Sequence, residues 1–487
     1  MSIGEGRTIS IVGAGIAGLT AACSLARLGF RINIYERGRD PRTSGAADPG
    51  SCVLTNRSMQ ALESIGIADD VRRAGLSIRS QILHHTGLSS LRRRAASVDR
   101  LDAQGLAISF DVLRSLLRKA SEKFDNIEIF FGQTCDEADA QAGTLSFVND
   151  PSSSRPTDAR IPAFTAGSLI IGADGPQSVV RRAMQFVPGF AFSQRYAPTV
   201  LRRTQTRQEA ASISSSLDPG ATHVWARCGV VVTAVPRAVG GFDCSIHGPA
   251  RGPMGLETIR SRPAAEAFLN MHARELFALD PSLADALAEA PIRPVLTTRC
   301  QSWGNLTTSG ASLMLVGDAA HAGDGLFGLD TGAAIEDGVA LGDSVERAGG
   351  DPAAALDRYQ EQRCHAADAG ADTLERVMES LTSKSESRFA YARTLLERSL
   401  ADMLPSLLAP PAGVLAAPDV PLEQAARRAD RLQRVLRGMA VLGFILLLFV
   451  LVLLRVPAWP LLVVVIIAGW ITWEATRDRA VTRSATR

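Results

Sequence analysis

Net charge, paired cysteines and aromatic side chains are all scarce in this 487-residue sequence. Its 52 Lys and Arg residues nearly cancel 50 Asp and Glu residues, which leaves a net charge of +2. Such a balance provides no strongly basic surface, so we predict no nucleic-acid partner. With 46% hydrophobic residues the chain can bury a large core, and its length suggests two or three domains.

The seven cysteines are scattered, and no two of them form a CxxC pair. We therefore expect neither a disulfide framework nor a zinc site, but buried thiols of a reducing compartment. The histidines His84, His85 and His223 have no spacing that favours a metal ion. We expect no signal peptide, because Met1 to Arg7 leads straight into a strand.

The first residues have the pattern of a βαβ unit. Thr8 to Val12 is a short apolar strand, Gly13–Gly18 reads GAGIAG, a helical pattern follows, and a second strand ends at Glu36. The first glycine of such a run permits a tight turn, the second lets the backbone approach a pyrophosphate, and the third lets helix pack on strand. The unit predicts dinucleotide binding; the alternative is a glycine-rich turn that binds nothing.

Two later turns also follow short apolar strands. Asp174-Gly175 comes after the strand at 168–171, and Gly317-Asp318 comes after the strand at 313–316. Gly317 opens the run GDAAHAGDGLFGLDTG, about 300 residues after the first glycine-rich turn. Turns of this kind meet at one edge of a doubly wound sheet, where its ligand lies. We therefore predict that one long ligand is held at both of its ends.

Other segments have different patterns. Residues 190–300 alternate apolar and polar side chains, which indicates an inserted sheet, and residues 341–400 are rich in helical pattern. The Pro- and Ala-rich stretch Ala409–Pro421 reads as a linker.

The C-terminal tail contains two long hydrophobic runs. Gly438–Leu454 and Leu461–Trp473 are uncharged, and each is about as long as a bilayer crossing requires. Arginines flank both outer ends, and Arg455 lies between the runs. This arrangement predicts a membrane hairpin with both ends, and the rest of the chain, on the cytoplasmic side; the alternative is a buried core hairpin.

Taken together, the three turns resemble those of the class A flavoprotein monooxygenases over residues 8–400. The resemblance implies an α/β fold: an FAD-binding Rossmann-like domain of the glutathione-reductase type with an inserted β-sheet substrate domain and C-terminal helices, followed here by the transmembrane helical hairpin. It implies FAD as cofactor and NADPH or NADH as co-substrate. The cofactor-binding residues that it implies are Gly13, Ala14, Gly15, Ile16, Ala17, Gly18, Glu36, Arg37, Arg114, Asp174, Gly175, Gly317, Asp318, Gly328, Leu329, Asp330, Thr331 and Gly332.

Within that family, residues 64–87 and the segments FSQRYAP, HVWAR and GDAAHA are most similar to the kynurenine 3-monooxygenases. Those enzymes are membrane-bound and hydroxylate an aromatic amino acid. Their carboxylate-binding Arg falls on Gln81 here, with Arg79 close by, and Phe110 stands where an FAD-contacting Arg is usual. Arg114, one turn later, either substitutes for that Arg or lies on a solvated helix face.

Asp330 is a further departure, because it takes the place of an Asn once a two-residue slip is allowed. An ionised carboxylate beside reduced flavin would oppose the negative charge on that ring. We expect Asp330 either to cap the helix with its side chain turned away or to be protonated.

The resemblance implies that O2 is activated as a flavin C4a-hydroperoxide, which gives one oxygen atom to the substrate. Because the carboxylate clamp is missing and the tail is apolar, we expect a lipophilic aromatic, prenylated or terpenoid substrate, hydroxylated or epoxidised. A kynurenine-type substrate held by another Arg is the alternative. Two rival hypotheses are a membrane flavoprotein that does not activate oxygen, such as a polyprenyl reductase or cyclase, and a scaffold that has lost its flavin.

Two further expectations concern side chains in and near the site. His321 either packs beneath the cofactor or acts as a base. The candidate pocket residues are Phe190, Phe192, Tyr196, Trp225 and Phe242.

We predict four regions along the chain. They are an FAD-binding domain at 1–75, 105–185 and 300–350, a substrate domain at 76–104 and 186–299, C-terminal helices and a linker at 351–420, and a basic helix with the hairpin at 421–487.

Overall fold

The computed structural model describes residues 3–40, 49–85, 97–139, 142–149, 160–161, 169–207, 217–306, 312–323, 325–383, 396–397, 399–401, 403–404, 406–408 and 422–453. The chain divides into two compact units. The first comprises residues 1–395 and 411–426, and the second comprises residues 396–410 and 427–487.

The described strands, in chain order, are β1 (Thr8–Val12), β2 (Arg31–Glu36), β3 (Ser51–Leu54), β4 (Leu76–His85), β5 (Ser97–Ser109), β6 (Ile127–Phe131), β7 (Gln133–Asp139), β8 (Thr144–Asn149), β9 (Arg160–Ile161), β10 (Leu169–Gly172), β11 (Phe192–Gln205), β12 (Ala221–Arg227), β13 (Val230–Pro236), β14 (Phe242–Pro249), β15 (Arg293–Cys300), β16 (Gly304–Leu306) and β17 (Ser312–Leu315). The α-helices are α1 (Ile16–Ala26), α2 (Asn56–Ser64), α3 (Ala68–Ala74), α4 (Phe110–Ser121), α5 (Val179–Met184), α6 (Arg262–His272), α7 (Arg274–Leu279), α8 (Leu283–Glu289), α9 (Leu329–Arg347), α10 (Pro352–Ser383) and α11 (Leu422–Leu453).

A six-stranded sheet forms one part of the first unit, in the order β16-β17-β10-β1-β2-β6. All neighbours are parallel except β16 and β17, which are antiparallel. The central strands β1, β10 and β17 are short and almost wholly buried because both faces of the sheet are covered there, as expected of a parallel sheet. In β1, for example, Ile9 and Ile11 are both buried. The predicted α/β fold is confirmed, and so are the strands β1, β2, β6, β10 and β17; β16 was not predicted.

Helix α9 packs against α1 beside this sheet. The approach is close because a Cβ on Gly338 would lie 2.8 Å from the backbone nitrogen of Ala21. This packing brings the N-terminal ends of the two helices, which come from distant parts of the sequence, to the same side of the sheet.

A second sheet of eight strands has the order β15-β11-β14-β13-β12-β4-β5-β3. One face, which carries Trp225, Phe242 and Ile246, packs on the helices α6 to α8 in a separate hydrophobic core. The predicted inserted sheet is present, and the sequence pattern did not reveal these three helices. A smaller sheet, β7-β8-β9, completes the first unit.

In the second unit, Gln433 Nε2 donates to Glu397 Oε1 at 3.2 Å, and Leu432 is buried. Val441, Leu442 and Ile445 are more than half exposed. No helix within the described residues combines the length and apolar character that crossing a bilayer requires. The predicted second run, Leu461–Trp473, lies outside the described residues.

Candidate functional site

A cleft of about 570 Å³ lies where the parallel strands end, and it brings the three predicted turns together. Gly15, Ile16 and Ala17 follow β1, Gly175 follows β10, and Asp318 follows β17. The remaining wall comes from α4, β11, β15, the segment that leads into α9 and the first turns of α9 itself. The complete lining is Gly15, Ile16, Ala17, Phe110, Asp111, Arg114, Ala173, Gly175, Pro176, Leu201, Arg203, Arg293, Pro294, Val295, Leu296, Asp318, Ala322, Gly323, Gly325, Gly328, Asp330, Thr331 and Ala334.

The first turn leaves the N-terminus of α1 open to the cleft. Gly13 has φ +104°, and a Cβ there would lie 2.4 Å from the carbonyl oxygen of Ala173, so only glycine fits. A Cβ on Gly15 would meet no atom within 4 Å, and no side chain caps α1. The first backbone N–H groups of α1 therefore have space before them for a phosphate, which is the arrangement that a dinucleotide needs.

Glu36 stands beside this turn, as predicted. Its Oε2 accepts from the Ala14 backbone N–H at 2.7 Å, and its Oε1 accepts from that of Gly38 at 2.7 Å. The carboxylate thus holds the turn in shape and keeps lone pairs for a ribose hydroxyl. Gly18 and Arg37 do not line the cleft, and Arg37 is exposed.

In the second turn, one buried carboxylate oxygen of Asp174 has no hydrogen-bond partner. Asp174 Oδ2 accepts from the Val179 backbone N–H at 2.7 Å, whereas Oδ1 is buried without a hydrogen-bond partner. Burial raises the pKa of this carboxyl group. A buried orphan oxygen is costly unless something bonds to it, and a hydroxyl of a bound cofactor would do so. This turn therefore also fits the cofactor.

The third turn rests on a buried ion-pair network. Asp337 Oδ2 accepts from the Gly317 backbone N–H at 3.2 Å and pairs with His321 Nε2 at 2.5 Å. Asp337 Oδ1 accepts from Arg363 Nε at 2.7 Å. The His321 ring also stacks on Trp303, with centroids 4.9 Å apart. Of the two alternatives for His321, the packing role matches this geometry, because the ring is buried and absent from the cleft lining.

The His321–Asp337 pair predicts a pH window for stability. Asp337 raises the pKa of His321, and His321 with Arg363 lowers the pKa of Asp337. The stabilisation that His321 contributes to the folded state is therefore complete below about pH 6.5 and is lost as pH rises through its folded-state pKa. The stabilisation that Asp337 contributes is lost as pH falls below about 4. Urea denaturation from pH 5 to 9 should show the wild type losing more stability with rising pH than His321→Gln. Parallel curves would contradict the pairing.

Asp318 lines the cleft itself, at the predicted position. Burial raises the pKa of its carboxyl group, and the positive charge of Arg203 and His321 opposes that rise. A carboxylate at the end of β17 that faces the cleft can accept hydrogen bonds from a ligand's hydroxyl groups.

The N-terminal end of α9 forms the far end of the cleft. Gly328, Asp330 and Thr331 line it, whereas Leu329 packs on an apolar cluster and a Cβ on Gly332 would lie 2.6 Å from Ser58 Oγ. The five predicted positions thus divide between lining and packing, and the free N–H groups of the first helical turn face the cleft.

Asp330 does not make the helix cap that was one of its two predicted roles. The N-cap residue of α9 is Gly328, without a side-chain cap, and Asp330 lies in the first turn of the helix. Its Oδ2 accepts from the Gly325 backbone N–H at 2.8 Å. The carboxylate therefore fastens the preceding loop to α9, at a helix end whose dipole favours negative charge.

Arg203 is the cleft residue that sequence reasoning missed. Its guanidinium lies over the Phe110 ring, 4.9 Å from the centroid, where the family resemblance predicted an Arg in place of that Phe. Arg114 also lines the cleft but is half exposed and pairs with Asp111 at 2.9 Å. A second missed arginine, Arg293, begins β15. The sequence signal that could have indicated Arg203 is the alternating pattern of residues 201–207, LRRTQTR.

The predicted pocket aromatics lie elsewhere. Trp225 and Phe242 are buried on the sheet face that packs on α6 to α8. Phe190 and Phe192 pack at the edge of the first core, and Tyr196 is 68% exposed. None of the five lines the described cleft. Large apolar side chains on a two-sided sheet fill a core more often than a pocket, and sequence alternation does not tell the faces apart.

Residues 7–228 match the family described as FAD binding domain. The kynurenine 3-monooxygenase of Salinispora arenicola is 27% identical over 88% of this chain and 92% of its own length. That of Sus scrofa is 25% identical over 83% of this chain and 82% of its own length.

Solved structures share the fold. A tetrameric 2-methyl-3-hydroxypyridine-5-carboxylic acid oxygenase matches with a TM-score of 0.60 at 20% identity, covering 80% of this chain and 96% of that chain. A probable FAD-dependent monooxygenase from Pseudomonas aeruginosa matches with a TM-score of 0.60 at 17% identity, covering 80% and 99%. The resemblance predicted from the three turns is confirmed.

Proposed function

We propose, on the premise that this chain is an FAD-dependent monooxygenase similar to the kynurenine 3-monooxygenases, that it inserts one oxygen atom of O2 into a lipophilic aromatic or prenylated substrate. The observation that carries the proposal is the single cleft that collects all three turns beside an apolar wall. NADPH or NADH is the proposed reductant.

Each part of the cleft has a proposed role towards FAD. The N–H groups at the start of α1 would bind the pyrophosphate, and Glu36 and Asp174, which stand beside the cleft, would accept from hydroxyl groups. Asp318 would bind the linking chain, and the first turn of α9 would lie nearest the flavin ring. When bound and reduced by NADPH or NADH, FAD would activate O2, so that one oxygen atom goes to the substrate and the other leaves as water. The helix N-terminus stabilises negative charge there without any rearrangement, and the sheet excludes water from the reacting atoms.

The lining supports an apolar substrate. Leu201, Val295 and Leu296 face the cleft, whereas neither Gln81 nor Arg79 is among the lining residues. A Cβ on Gly220 would lie 3.0 Å from the Arg79 guanidinium, so that side chain lies beside the turn before β12. The carboxylate clamp of the relatives therefore has no counterpart at these positions.

A second candidate is an aromatic acid of the kynurenine type. Arg203 and Arg293 both line the cleft, and a guanidinium group is a favoured carboxylate partner. One solved neighbour was crystallised with 2-aminobenzoylacetate, which is such a ligand.

The experiment that tests the function uses the full chain purified in detergent and loaded with FAD. NADPH and NADH oxidation is followed with oxygen uptake over a panel of 4-pentylphenol, geranylated phenols, L-kynurenine and 2-aminobenzoylacetate. The proposal expects stimulated oxidation and an oxygenated product with an apolar compound. Turnover of the two acids alone would establish the second candidate, and reductant use without oxygen uptake would support a non-oxygenase flavoprotein.

We propose further that residues 421–487 attach the enzyme to a membrane as a helical hairpin, with the catalytic residues on the cytoplasmic side. The support is the sequence of the two uncharged runs and the exposed apolar side chains Val441, Leu442 and Ile445. Exposing apolar side chains of this kind to water is costly, so covering them, here with lipid, would be favourable.

Deleting residues 422–487 should move the enzyme from the membrane pellet to the supernatant of a lysate, because the apolar runs are then gone. The matched control replaces Arg477, Arg479, Arg483 and Arg487 by Gln and should stay in the pellet. A truncated chain that still sediments with membranes and resists carbonate extraction would show that the attachment lies elsewhere.

A further inference from the structure

His247 on β14 is a buried polar side chain that has no part in the proposed binding of FAD. The residue is fully buried, and neither Nδ1 nor Nε2 has a hydrogen-bond partner. A buried polar atom without a partner costs roughly 1–3 kcal/mol, so most such atoms in native proteins have one. An unpartnered imidazole can therefore take a hydrogen bond from a bound molecule where its position in the fold brings it close to a binding site.

Strand register places this imidazole on the cleft side of the large sheet. His247 is directly opposite Leu201 on β11 and directly opposite Val231 on β13. Residues paired in this way project from the same face of an antiparallel sheet. Leu201 lines the cleft, and Val231 packs with Leu326 in the loop that leads to α9. His247 is not itself a lining residue, but it lies directly beside Leu201 in the cleft wall, whereas His321 has the carboxylate of Asp337 as its partner.

The residues directly opposite His247 on the neighbouring strands, Leu201 and Val231, are apolar, and the charge that acts on its ring is that of Arg203. Burial and the positive charge of Arg203 lower the pKa of His247 to about 4, so the ring is neutral at physiological pH. A neutral imidazole has one N–H donor and one acceptor nitrogen. It can therefore accept from, or donate to, a hydroxyl or amino group, but offers no ion pair to a carboxylate.

We propose that His247 is a specificity-determining residue that hydrogen-bonds the hydroxyl or amino substituent of an aromatic substrate bound against the cleft wall beside Leu201. This inference rests on the proposed function and narrows its substrate class. Among apolar substrates, phenols and anilines are favoured over plain hydrocarbons and alkenes. The hydrogen bond fixes the position of that substituent and therefore which end of the ring lies nearer the flavin.

The test measures binding by the change in flavin absorbance of the FAD-loaded full chain. The probes are 4-pentylphenol and 4-pentyltoluene, which differ only in a hydroxyl group against a methyl group. Wild type should bind the phenol more tightly, and His247→Phe should lower that preference about tenfold, or about 1.4 kcal/mol. Because Phe removes unpartnered polar atoms from an apolar site, the variant should unfold at the same temperature as wild type or at a higher one.

His272→Phe is the matched control. His272 on α6 is also buried, with two ring nitrogens that lack a hydrogen-bond partner, and its pKa is lowered to about 4, but it packs on Phe268 in the other core. Its replacement should leave the preference for the phenol unchanged.

Three outcomes would count against the proposal. An unchanged preference in His247→Phe would overturn the substrate contact and point to a buried water as the partner. A strongly destabilised His247→Phe with equal loss of binding for both probes would indicate a structural role. A wild-type chain that takes up no FAD would overturn the proposed function first, and this inference with it.

Discussion

Gly15→Val is expected to weaken FAD binding by more than about a hundredfold, or about 2.7 kcal/mol, without unfolding the protein. A side chain at Gly15 would meet no protein atom within 4 Å, so the fold has room for it. That same space lies before the free N–H groups of α1, where the pyrophosphate would have to fit. The measurement is a titration of the FAD-free chain followed by flavin fluorescence, with thermal unfolding recorded alongside.

Gly438→Val provides the control, because a Cβ at Gly438 also meets nothing within 4 Å. It should bind FAD like the wild type. Added FAD should raise the unfolding temperature of wild type and of this control but not of Gly15→Val, since a ligand stabilises only the state that binds it. Normal FAD affinity in Gly15→Val would show that the pyrophosphate does not lie at the start of α1.

Asp337→Asn is expected to lower the free energy of unfolding by about 3 kcal/mol. The carboxylate is fully buried and joins the Gly317 backbone, His321 and Arg363. Removing one member of a buried ion-pair network leaves the other charges uncompensated, which costs about 3–5 kcal/mol. Because Glu336, 3.0 Å from Arg363, still pairs with that guanidinium, we expect a value at the low end of this range. Urea denaturation of the two proteins at pH 7 measures the difference.

The comparison for this variant is Asp285→Asn, which breaks an ion pair with Arg262 whose two side chains are both 49% exposed. Surface pairs of this kind contribute little, so its stability should match the wild type. Asp337→Asn should also bind FAD more weakly, because Asp337 holds the turn that carries Asp318. Equal stability of the two variants would mean that the network does not support the turn.

The parts of the fold that could be predicted from the sequence are those set by local patterns. The strands at residues 8–12, 31–36 and 127–131 followed from short runs rich in apolar residues, and the first turn followed from its glycines. Gly13 and Gly18 have no room for a Cβ, whereas Gly15 leaves open space before α1. The three turns could be expected to meet because parallel strands that end in such turns share one edge of a sheet.

The parts that could not be predicted depend on contacts between distant residues. In β11 the pairing with β15 shifts between Tyr196 and Val200, and beyond that irregularity Leu201 and Arg203 face the cleft. A one-residue change of register moves every side chain to the other face, so the pattern alone could not place Arg203 or His247. Likewise, Asp337 reaches Gly317 only because α9 folds back beside the turn.

The measurement that tests the account most directly is amide hydrogen exchange of the full chain with and without one equivalent of FAD. If opposite halves of one cofactor are held by the turns at residues 13–18 and 317–332, FAD should slow exchange in both segments together, with saturation at one FAD per chain. Protection of one segment without the other, or of neither, would contradict the claim that these two turns bind a single cofactor.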